Sequence, residues 1–128
     1  MLLDNIPNFG LYSDQVIEFV EDLLGKRRKL TSSMINNYVK MQLMPRPTKK
    51  KYYNEHIRRL IIITLLKSVY SLDEIKIIFK NGLNEDNLFR IFESLEFDDS
   101  LESHIVKSLI SKDEVLDRMV LDDSDKKS

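Results

Sequence analysis

Cysteine is absent from the 128 residues, and glycine and proline occur only three times each. Without thiols there is no disulfide, no thiolate metal site and no cysteine nucleophile. The longest apolar run, Leu60 to Leu66, is far too short to span a bilayer. The opening MLLDNIPNFG shows no basic stretch followed by an apolar one, so no secretory signal is expected. Also missing are a glycine-rich phosphate loop and a G-x-S-x-G motif. His56 and His104 are the only histidines, and neither stands at metal-ligand spacing. No cofactor, no metal and no enzymatic activity are expected, and no small-molecule effector is identifiable.

What remains is 42% hydrophobic and 32% charged, a globular composition of a length suited to one domain. The expectation is a cytoplasmic, all-α protein. The net charge of -1 conceals strong segregation. Residues 1–25 hold five acids and no base, and residues 26–59 hold eleven bases against Glu55 alone. The last 48 residues return to -7. A +10 segment inside a neutral chain concentrates positive potential on one side, where a polyanion responds to the local field. A solvated face, or pairing with the acidic last third, is the plainer reading of such a run.

Hydrophobic periodicity predicts seven helices. The first runs from Leu11 to Leu24 with Ser13 as its cap and Gly25 after it. A short second helix opens at Thr31 or Ser32 and ends near Gln42. Its apolar side is Met34, Ile35, Tyr38, Val39 and Met41, and Ser33, Asn36, Asn37 and Lys40 form a narrow opposite stripe. Pro45 and Pro47 end helix formation, so Arg46 to Tyr53 (RPTKKKYY) is extended or a tight hairpin. Asn54 caps a third helix, apolar nearly all round and therefore central. Ser71-Leu72-Asp73-Glu74 is a capping box for the fourth. Asn84 and Ser100 open the fifth and sixth, and Ser111-Lys112-Asp113-Glu114 reads as a second capping box for a short last helix. The chain divides as one domain over 1–121, with a winged helix-turn-helix core over 11–80, a helical extension over 84–121 and a disordered tail over 122–128.

Helix, basic turn, helix, basic ribbon and helix is the order of a winged helix-turn-helix. Asparagine can bond adenine in a bidentate way, and lysine meets guanine or phosphate. Ser33, Asn36, Asn37 and Lys40 are therefore the candidates to face the major groove of duplex DNA. Arg46, Lys49, Lys50, Lys51 and Tyr52 form a candidate short β wing, with Lys29, Thr31, Arg58 and Arg59 as further phosphate contacts. His56, at a basic helix start, is a candidate phosphate contact, although such a residue is more often a surface or half-buried histidine. His104 reads as structural.

Met34-Ile35-Asn36-Asn37-Tyr38-Val39-Lys40-Met41-Gln42-Leu43-Met44-Pro45, Tyr53 at a helix start and Ser71-Leu72-Asp73-Glu74-Ile75-Lys76 together resemble the DNA-binding domain of MerR-type regulators. The likeness covers about residues 31–79, although Gln42 stands where that family has glycine and the wing is short. Ile6-Pro7, Leu11-Tyr12, Asp14-Gln15-Val16, Met34 to Tyr38, Lys49 to Tyr52, His56 and Leu65-Leu66-Lys67 are similar to a MerR-related bacterial family of unknown function from low-GC Gram-positive organisms. The resemblance implies sequence-specific binding of double-stranded DNA by a transcriptional regulator. A homodimer is expected, because one helix reads few base pairs. The alternative is a protein-interaction adaptor that uses a winged-helix scaffold to hold an acidic partner.

Overall fold

The computed structural model of the protein describes residues 2–26 and 28–112. It is all-helical: a 3-10 turn at Leu2–Asn5 precedes α1 (Ser13–Leu24), α2 (Ser32–Lys40), α3 (Asn54–Leu66), α4 (Leu72–Lys80) and α5 (Glu85–Ser94). A further helix, α6, occupies 101–112. Among the described residues no helix is long and apolar enough to cross a membrane.

Helix α3 is the hub. His56, Ile57 and every residue from Leu60 to Leu66 are buried, which follows from a sequence apolar on all sides. The hydroxyl of Thr64 donates to the Leu60 carbonyl at 2.7 Å, so the central helix buries this threonine without leaving its donor unpaired. α1 lays Val16 and Val20 against it, and α2 contributes Ile35 and Tyr38. Leu88, Phe89 and Ile91 of α5 and Ile105, Val106 and Leu109 of α6 complete one continuous core.

Several helix ends differ from the expected ones for local reasons. α1 starts at Ser13 rather than Leu11, because Leu11 is used elsewhere: its amide donates to Tyr52 O at 2.9 Å and its carbonyl accepts from Tyr52 N at 2.7 Å. The amide of Tyr12, the N-cap residue, donates to Gln15 Oε1 at 2.8 Å. α3 begins in the same way, with Tyr53 at the N-cap and its amide accepted by His56 Nδ1 at 2.9 Å. The Ser71–Glu74 capping box forms as expected, with bonds of 2.9 and 3.1 Å. Ser111 and Lys112 do not open a new helix but continue α6. The rest of the expected seventh helix and the expected tail lie outside the described residues.

Gly10 is required by close approach. A Cβ there would lie 2.9 Å from both Lys51 Cβ and Tyr53 Cζ, so only glycine lets the segment before α1 run beside 51–53.

Candidate nucleic-acid interface

Thr31 caps α2 by accepting the Met34 amide at 3.1 Å. With Ile35 and Tyr38 turned into the core, the 3.6-residue period leaves Ser33, Asn36, Asn37 and Lys40 exposed. The helix ends in a Schellman motif. Leu43 N donates to Tyr38 O at 2.9 Å and Gln42 N to Val39 O at 3.0 Å, with Gln42 left-handed at φ 62°. This exit buries Leu43 and Met44 and sends Pro45 and Arg46 outward.

Arg46 is held by α3. Its carbonyl accepts from His56 Nε2 at 2.7 Å, while Nδ1 takes the Tyr53 amide, so the proton of the neutral imidazole sits on Nε2. His56 is 1% exposed and therefore positions the backbone; it is not a phosphate contact. Immediately after Pro47 the chain reverses through a two-residue turn. Thr48 and Lys51 exchange hydrogen bonds of 2.9 and 3.0 Å around Lys49 (φ 51°) and Lys50 (φ 67°). Positive φ at both central residues is the type I′ pattern, which favours asparagine and glycine. Two lysines tolerate it here at a cost of about 1 kcal/mol or more each. The pairing extends no further than isolated bridges at Thr48–Lys51 and Leu11–Tyr52, and no strand forms among the described residues.

Asn36, Lys40, Arg46 and Lys50, from three successive segments, line one open groove of about 430 Å³ floored by Val39 and Pro47. The groove continues past Lys40 and Arg46 toward Gln42 and Arg59. No acid lines either stretch, and Lys40, Arg46, Lys49 and Lys50 form no ion pair among the described residues. Ser33 and Asn37 lie on the same exposed side of α2, where Asn37 Nδ2 approaches Met41 Sδ at 3.7 Å.

Other expected contact residues are occupied elsewhere. Tyr52 is 5% exposed; it packs edge-on to His56 with ring centres 5.9 Å apart, and burial raises its phenol above the usual range. The alternation of an extended segment turns Tyr53 outward in its place. Lys51 is half-buried, its Nζ lying 5.3 Å over the Tyr12 ring. Arg58 is paired with Asp86, and Arg59 reaches Glu85 at 3.5 Å, the Leu43 carbonyl at 3.2 Å and the Phe79 ring at 4.1 Å. These two arginines fasten α5 to α3, so part of the acidic last third does pair with the basic middle. Thr31 is spent on its cap, and Lys29 lies with Lys67 in a different pocket. His104, read as structural, is exposed on α6. Tyr12, 53% exposed beneath Lys51, enters the sequence reading only through the Leu11-Tyr12 likeness, and Phe9, 64% exposed, does not enter it.

A family model described as Domain of unknown function (DUF1836) matches residues 1–97. The chain belongs to that family. The match includes α1 to α5 and the whole groove, and leaves α6 outside it. No curated protein and no solved structure matches the chain.

Proposed function

We propose that the protein binds double-stranded DNA in a sequence-specific manner, as a transcriptional regulator of winged helix-turn-helix type resembling the MerR DNA-binding domain. α2 is then the recognition helix and the Thr48–Lys51 turn a minimal wing. The reading rests on one observation: Asn36 shares an acid-free groove with Lys40, Arg46 and Lys50. Asn36 and Asn37 read base edges, Ser33 and Lys40 bond bases or phosphate, and Arg46, Lys49 and Lys50 hold the backbone. The protein acts as a homodimer, for which the exposed Ile77, Leu95, Phe97 and Leu101 supply apolar surface.

One observation favours the adaptor reading instead. Tyr12 and Tyr53 stand exposed close to Lys51, and aromatics next to a cation suit a protein interface. Ionic strength separates the two. A duplex held through about six phosphates loses affinity with a log–log slope near -5. An acidic protein partner gives a shallower slope and a fixed stoichiometry. Failure of any duplex to bind at low salt would remove the DNA reading.

A further inference from the structure

On the side of α2 nearly opposite Asn36 and Lys40, about 160° around the helix, a second pocket of about 320 Å³ opens between the α1–α2 connector and the end of α3. Arg28, Lys29, Met34, Tyr38 and Lys67 line it, with Thr64 and Ser68. Tyr38 is 1% exposed, and its hydroxyl has no hydrogen-bond partner among the described residues. An orphaned buried hydroxyl is costly and calls for a bound group or an ordered water. Lys67 Nζ lies 5.6 Å from the centre of the same ring.

The chemistry left open here is that of donors. Thr64 and Ser68 already donate to the Leu60 and Leu65 carbonyls, each at 2.7 Å. The Tyr38 O–H and the ammonium groups of Lys29 and Lys67 remain available, and no carboxylate lines the pocket to accept from them. Half-buried Met34 provides an apolar wall.

We propose that this pocket is a binding site for a small organic oxyanion, with an apolar or aromatic body lying against Met34. Its carboxylate or phosphate accepts from the Tyr38 hydroxyl and pairs with Lys67 and Lys29. A volume at the lower end of the usual range for ligand pockets limits the body to about the size of one ring. The site does not depend on the groove residues, so it stands whether or not the groove binds DNA.

The test is a proton–nitrogen NMR titration of the full chain with phenyl phosphate, benzoate and neutral benzyl alcohol. Saturable shifts at the amides of Tyr38, Lys67 and Ser68 are expected with an anion and not with the alcohol. The comparison of phenyl phosphate with benzoate identifies the preferred head group. Tyr38→Phe and the surface change Lys67→Ala are each expected to weaken anion binding about fivefold or more, whereas Lys40→Ala/Lys50→Ala leaves it unchanged. Three results would overturn the proposal: no saturation by either anion at about 10 mM, equal binding of benzyl alcohol, or undiminished affinity in both pocket variants.

Discussion

His56 Nε2 donates to the Arg46 carbonyl at 2.7 Å, across ten residues of chain. The same ring accepts the Tyr53 amide through Nδ1, so one buried imidazole ties the start of α3 to the segment that follows α2. Arg46 is thereby held in the groove it lines with Lys40 and Lys50, whose arrangement depends on a residue that does not line it. His56→Ala leaves an amide and a carbonyl without their partner and opens a cavity. The expected loss is about 2 to 4 kcal/mol in urea unfolding, together with weaker duplex binding.

The two left-handed lysines set stability against binding. Lys49→Asn/Lys50→Gly places the preferred type I′ pair in the turn and is expected to stabilise the fold by about 1 kcal/mol. The same change removes two charges, so duplex affinity falls and the salt slope becomes shallower by about 2. Gln42→Gly is the matched control. It relieves another left-handed residue by about 1 kcal/mol and leaves the charge of the groove unchanged. Melting temperatures and salt titrations of the three proteins check both effects.

Arg58 and Arg59 separate a structural role from a binding one. Arg59→Ala removes packing on Phe79, the bond to Leu43 and the pair with Glu85, for an expected cost of about 1 to 2 kcal/mol. Duplex affinity should change less than in Lys40→Ala, because Arg59 already has an acid beside it. Fluorescence anisotropy on one duplex compares the two variants. Equal losses would return Arg59 to the binding surface.

The helical character of the chain was readable from its apolar periods, and the exposed stripe on α2 followed from Ile35 and Tyr38 turning inward. Tyr52 looks like a wing contact in the sequence, but its burial depends on pairing with Leu11, forty-one residues earlier. Arg58 and Arg59 look like free cations in the sequence, and only the packing of α5 on α3 brings Asp86 and Glu85 to them. His56 stands out in the sequence only as a candidate phosphate contact or an ordinary histidine, since nothing there marks its partner, a main-chain carbonyl in an irregular segment. The orphaned hydroxyl of Tyr38 was hidden for a related reason: a tyrosine on an apolar stripe looks like any other core residue.

Acid should weaken the start of α6 as pH falls from about 4 toward about 2. Asp98 Oδ1 accepts from Ser100 N and Ser103 Oγ, both at 2.9 Å, and Arg90 lies 3.9 Å from its other oxygen. The hydrogen bonds from Ser100, then that from Ser103 and the charge of Arg90, hold its carboxyl at about 2. Glu74, bonded by Ser71 in its capping box, is also held below the usual carboxylate range. A carboxyl lowered on folding stabilises the native state above its unfolded value and loses that contribution as pH falls toward its folded value. Melting curves of the parent and Asp98→Asn should therefore differ most above pH of about 4 and converge toward about 2. A constant difference across that range would show that the carboxylate charge is not what matters.

Enrichment of bound sequences from random duplex DNA tests the central claim most directly. The parent protein is expected to select a motif, and Asn36→Ala is expected to relax it at one or two adjacent base pairs, each by about 1 to 3 kcal/mol of discrimination. Lys49→Ala/Lys50→Ala should instead weaken all duplexes alike. Selection of the same motif with undiminished preference by Asn36→Ala and Asn37→Ala, or no enrichment by the parent protein, would contradict it.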